Sequence, residues 1–121
     1  MSQPKVMIVE DEVIAALAAE KILKKLGYEV CGNVTSGEDA LEVMDESCPD
    51  FVLMDIRLDG EMDGIETSLR MRQMRQVPVI FVTAYSDEDT RRRAQAAEPL
   101  AFINKPLDLG LLQQALSKLP N

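Results

Sequence analysis

The sequence predicts an α/β domain: a doubly wound, five-stranded parallel sheet with helices on both faces. Val6-Met7-Ile8-Val9, Phe51-Val52-Leu53-Met54, Val79-Ile80-Phe81-Val82 and Leu100-Ala101-Phe102-Ile103 are short continuous apolar runs, the pattern of strands covered on both faces. Segments of helical period alternate with them, which gives a parallel sheet with right-handed crossovers. The runs also end on residues that chemistry uses: Glu10-Asp11-Glu12, Asp55, Thr83 and, just beyond the fourth, Lys105-Pro106. Ligands of open α/β sheets bind outside the carboxyl ends of the strands. The acidic pair Glu10-Asp11, Asp55, Thr83 and Lys105 are therefore expected on one rim.

Lys5–Val9 is the first strand. Val13, Ala16, Leu17, Ile22, Leu23 and Leu26 fit a helix over residues 12–26, and Gly27 stops it as a C′ residue. Tyr28–Val34 reads as the second strand. Ser36 caps a helix to about Ser47, with Ala40, Leu41 and Met44 inward and Pro49 just past its end. Phe51–Met54 is the central strand, followed by an acidic, glycine-bearing loop from Arg57 to Met62. Asp63-Gly64 opens a third helix with Ile65, Leu69 and Met74 as inward candidates. Val77-Pro78 leads into the fourth strand. Asp87-Glu88-Asp89 suits the start of a fourth helix, which Pro99 prevents from continuing. Leu100–Ile103 is the fifth strand, and Leu109–Leu119 is a last helix with Leu112 and Leu116 on one stripe.

The 121 residues fit one domain, 1–121, with no internal linker or repeat. Composition, 46% hydrophobic and 28% charged, is that of a globular protein rather than a disordered one. No apolar run approaches the roughly 18 residues of a membrane span, and no secretory leader precedes the first strand, so a cytoplasmic location is expected. A net charge of −8 argues against direct binding of nucleic acid by this domain. The chain has no histidine, which rules out a Ser-His-Asp triad, a histidine zinc site and a phosphohistidine. Cys31 and Cys48 read as reduced packing residues.

Glu10, Asp11 and Asp55 carry the chemical argument. Two carboxylates about 4 Å apart repel by roughly 4 kcal/mol at an effective dielectric near 20, so three on one rim call for a cation. Hard oxygen ligands suit Mg²⁺. Helix capping alone would account for Glu10-Asp11-Glu12 but not for Asp55, which closes a wholly apolar strand. A carboxylate can attack phosphorus to give an aspartyl phosphate, with Mg²⁺ and a nearby cation offsetting the charge. Lys105 is the natural cation and Thr83 the natural hydroxyl donor. Singly, Thr83 and Lys105 are ordinary strand-end and solvated residues; together, at successive strand ends, they form a set with Asp55.

V-E-D-E, F-V-L-M-D, D-G-I-E, V-P-V-I-F-V-T-A and I-N-K-P, in this order and spacing, resemble the response-regulator receiver domain of two-component signalling. The resemblance runs from Val6 to the last helix. It implies a flavodoxin-like (βα)5 fold and a phosphoacceptor role rather than a conventional enzyme. By it, Asp55 takes the phosphoryl group, and Glu10, Asp11, Asp55 and the Arg57 backbone carbonyl bind Mg²⁺. Thr83 and Lys105 would contact the phosphoryl group, Thr83 and Phe102 would form the switch, and the Lys105-Pro106 bond would be cis. The implied partner is a histidine kinase or phosphotransfer protein, with a possible homodimer through the fourth helix, fifth strand and last helix.

Two positions depart from the family pattern. Leu58-Asp59-Gly60-Glu61 replaces a Met-Pro pair and shorter loop, and Phe102 stands where tyrosine is frequent, without a hydroxyl. Three other readings stay open at this point: a haloacid-dehalogenase-type phosphatase, a nucleotide-binding module and a pseudo-receiver. The first lacks its general-acid aspartate, because Arg57 occupies that place. The second lacks a glycine-rich turn after the first strand, and the third would lack one of the site residues. The start Met1-Ser2-Gln3 suits an N-terminal position. Kinase, pathway and output are not legible.

Overall fold

A computed structural model describes residues 3–84 and 87–119. It contains β1 (Lys5–Val9), α1 (Val13–Lys25), β2 (Glu29–Val34), α2 (Gly37–Ser47) and β3 (Phe51–Met54). These are followed by α3 (Gly64–Met74), β4 (Val79–Thr83), α4 (Glu88–Ala96), β5 (Ala101–Asn104) and α5 (Leu109–Leu116). All strand pairs are parallel, in the order β2-β1-β3-β4-β5. The chain reverses its winding direction between β1 and β3, where such sheets open a crevice at their carboxyl ends. Glu10 follows one of these strands and Asp55 the other.

Strand alternation divides the core into two layers. Met7, Val9, Val52, Met54 and Phe81 face α2, α3 and α4, where Met44, Met71 and Ala94 meet them. Val6, Ile8, Phe51, Leu53 and Val82 face α1 and α5, against Leu23, Leu112 and Leu116. Edge strands β2 and β5 are only partly buried.

Several caps are as expected: Ser36 accepts from the Asp39 amide at 3.1 Å, and Asp63 accepts from Glu66 at 2.9 Å. Gly27 follows α1 at φ 96°, a conformation that favours glycine. Other expectations are corrected. Val13 and Leu17 are exposed, because α1 lays its small side, Ala16 and Ala19 with Leu23, on the sheet. Leu69 and Met74 are also exposed. The inward stripe of α3 is Gly64, Thr67, Ser68 and Met71, at i, i+3, i+4 and i+7. The Thr67 hydroxyl satisfies itself on the Asp63 carbonyl at 2.8 Å, so it can be buried. The second strand starts at Glu29, with Tyr28 edge-on to Phe51 instead, and α5 ends at Leu116. Cys48 is not a packing residue: it is exposed and ends α2 in the left-handed region at φ 44°. Cys31 is half-buried, and both thiols are free.

Candidate functional site

Parallel pairing brings the chemical residues together. The Asp55 amide donates to the Val9 carbonyl at 2.9 Å and the Glu10 amide to Val34 at 2.9 Å, which aligns the ends of β1, β2 and β3. Across β4 and β5, Thr83 is level with Asn104, and the Lys105 amide donates to the Thr83 carbonyl at 2.9 Å. Glu10 and Asp55 are buried, at 7% and 6% exposure, although both are carboxylates. Burial of this kind needs a partner.

The partner is Lys105. Its Nζ lies 2.7 Å from Glu10 Oε1, 2.9 Å from Asp55 Oδ2 and 3.0 Å from Glu12 Oε1. Asp55 Oδ1 also accepts from the Ile56 amide at 2.7 Å. One ammonium thus serves three carboxylates. Burial pushes the Glu10 carboxyl from 4.5 up to about 7; Lys105 and the Glu12 amide oppose the rise, and Asp55 adds to it. Burial acts to lower Lys105, but its bonds to Glu10, Asp55 and Glu12 outweigh that and hold it above its usual value.

One carboxylate oxygen from each of Glu10, Asp11 and Asp55 lies within 4.8 Å of the others. Opposite oxygens of an octahedral Mg²⁺ shell are about 4.2 Å apart, so this cluster could hold a hard divalent cation. Arg57 lies in the exposed loop beyond Asp55. Thr83 is fully buried at the end of β4. Phe102 is half-buried on β5, edge-on to Phe81 at 6.4 Å, with the Arg91 guanidinium 5.1 Å from its ring centre. The Lys105–Pro106 bond is cis.

Two contributors escaped sequence reasoning. Glu12 precedes α1 as its N-cap residue, but its side chain makes no cap bond and turns to Lys105 instead, 93 residues away. Gly64 donates to the Ile56 carbonyl at 2.6 Å, and a Cβ there would overlap the Asp55 carbonyl oxygen. Asp63-Gly64 is legible as a helix start, but this approach to Asp55 is tertiary.

The model of the response regulator receiver domain matches residues 6–117. The chain belongs to that family. It is a receiver domain of two-component signalling, a phosphoacceptor module. It is 30% identical over 119 residues to sporulation initiation phosphotransferase F of Bacillus subtilis, covering 98% of this chain and 94% of that one. It is 31% identical over 112 residues to the transcriptional regulatory protein PdtaR of Mycobacterium tuberculosis, covering 93% of this chain. The chain spans about half of PdtaR, 54%. Among solved structures, the signal receiver domain of a modulated diguanylate cyclase from Desulfovibrio desulfuricans is similar at a TM-score of 0.91 and 35% identity, covering 98% and 94% of the two chains. A CheY-like receiver domain protein from Methanospirillum hungatei follows at 0.87 and 28%, with the same coverage. Receiver domains interact with histidine kinases or phosphotransfer proteins. Among the described residues no helix is long and apolar enough to cross a membrane.

Proposed function

We propose that Asp55 is the phosphoacceptor and that Glu10, Asp11, Asp55 and the Arg57 backbone carbonyl hold Mg²⁺. The observation that carries this is the Lys105 ammonium 2.9 Å from Asp55 Oδ2, at a rim where three carboxylates converge. An Asp55 oxygen attacks phosphorus, and the P–N bond of a donor phosphoimidazole breaks as the O–P bond forms. Mg²⁺, when bound, supplies a Lewis acid that offsets charge on the phosphoryl oxygens. Lys105 neutralises the remaining charge and holds the Asp55 carboxylate in place. Thr83 donates its hydroxyl to a phosphoryl oxygen. Hydrolysis of the same bond returns the free carboxylate.

The donor is a histidine kinase or phosphotransfer protein in the cytoplasm. Exposed Val13, Ile14 and Leu17 of α1 offer it an apolar surface. A groove of about 570 Å³ leads from Ile14 to Asp55 and Lys105. A charge of roughly −1.5 to −2 arriving at the rim draws Thr83 toward Asp55. Phe102 fills the space this vacates under α4, and the face of α4, β5 and α5 then engages a partner or second copy. This is a population shift between two packings.

Incubation with Mg²⁺ and acetyl phosphate tests the assignment. A stoichiometric, base-labile adduct is expected on the native chain and none on Asp55→Asn. Undiminished labelling of a folded Asp55→Asn variant would overturn it.

A further inference from the structure

We infer that Glu38 is a positioning residue: from the first turn of α2 its carboxylate clasps the Leu58–Glu61 segment and so places the Arg57 main chain beside Asp55. The inference rests on the metal reading above and names a device within it. Glu38 Oε2 accepts from the Glu61 amide at 3.0 Å. Gly60 lies directly beneath the carboxylate at φ 91°, and a Cβ there would come within 2.5 Å of Glu38 Oε1. Amides that follow a left-handed residue form a concave donor set for an anion. The Glu38 carboxyl is held below its usual range by its own amide first, then by those of Glu61 and Met62. Beside it, Ser36 and Asp59 form an isolated parallel bridge.

The base of the clasp is firm. Gly37 packs so closely on Thr67 that a Cβ would overlap its hydroxyl, and Thr67 is bonded to the Asp63 carbonyl. The first turn of α2 and the start of α3 therefore form one packed unit with the loop between them. The loop needs such a hold. Arg57, Asp59, Gly60 and Glu61 are exposed, so burial does little to hold them. This segment is also where the chain departs from the common family loop. Glu38 then substitutes for a stiffer connection, acting on Arg57 through the backbone.

Mg²⁺ titration of the full chain, followed by amide NMR, tests this with Glu38→Ala, Glu38→Gln and Glu42→Gln. Residues that orient metal ligands typically affect affinity by 10–100-fold, and about tenfold weakening is expected for Glu38→Ala. Without metal, the same variant should lose hydrogen-exchange protection at the Glu61 and Met62 amides. Glu38→Gln keeps a carbonyl acceptor and should retain most of both. Glu42→Gln removes an exposed charge one turn on and should leave both nearly unchanged. Equal weakening by Glu38→Ala and Glu42→Gln would reduce the effect to long-range charge and overturn the clasp. So would unchanged exchange in Glu38→Ala. Failure of the native chain to bind Mg²⁺ would instead overturn the metal reading, and that result appears before any variant is made.

Discussion

Strand β3 buries all four of its residues, whereas α4 buries only Ala94 of nine. Phe51, Val52 and Met54 are wholly inaccessible, so displacing β3 would open the core on both faces of the sheet. What fixes α4 is mostly polar. Arg93 pairs with Asp63 at 2.8 Å, Arg72 donates to the Ala97 and Glu98 carbonyls at its end, and Arg91 lies over Phe102. Exposed pairs of this kind are worth about 0–1 kcal/mol each. A few hydrogen bonds to a phosphoryl group can compete with that, but not with burial of a strand. The contrast fits the proposal above, with the chemistry on a firmly buried element and the signalling on a more weakly held one.

Substitutions can break this contrast. Phe81→Ala, in the layer that backs β3, should cost about 3–5 kcal/mol in urea unfolding. Lys105→Met leaves Glu10 and Asp55 without their cation and should cost about 3 kcal/mol near pH 8. The loss should shrink near pH 5, where Glu10 holds a proton. Ala94→Gly in α4 should cost about 2 kcal/mol, from helix propensity and the loss of one buried methyl, and leave labelling of Asp55 intact. A loss as large as that of Phe81→Ala would show that α4 is no softer than the sheet.

The rim also answers to pH. The Glu10 carboxyl is raised from 4.5 to about 7 in the fold. Below 4.5 both states are protonated and no penalty exists. Between about 4.5 and 7 the unfolded chain releases a proton that the fold retains, so stability falls as pH rises through that window and levels off above it. Saturating Mg²⁺ should flatten the curve, because the cation replaces the proton. Asp11→Asn should weaken Mg²⁺ and stabilise the metal-free fold by relieving like-charge repulsion. Melting temperature against pH, with and without Mg²⁺, reads both effects.

The strands and the strand-end residues were legible because a doubly covered strand must be apolar throughout, and its end is marked by the first residue that is not. Helix faces were less so. Val13 and Leu17 look inward by size, yet α1 packs through Ala16 and Ala19, which leaves the larger residues on the surface. Thr67 and Ser68 look outward by polarity, yet each is buried with its hydroxyl bonded locally. Glu12 and Glu38 were opaque for another reason: their partners lie 93 and 23 residues away, at distances only the folded chain creates.

The central claim, that a phosphoryl group on the fixed rim repositions α4 and its neighbours, is tested most directly by amide NMR shifts with and without beryllofluoride, a phosphoryl mimic. The expected result is perturbation at the rim together with continuous changes through α4, Phe102 and α5, across residues 87–119. Changes confined to Glu10, Asp55 and their adjoining loops would contradict it.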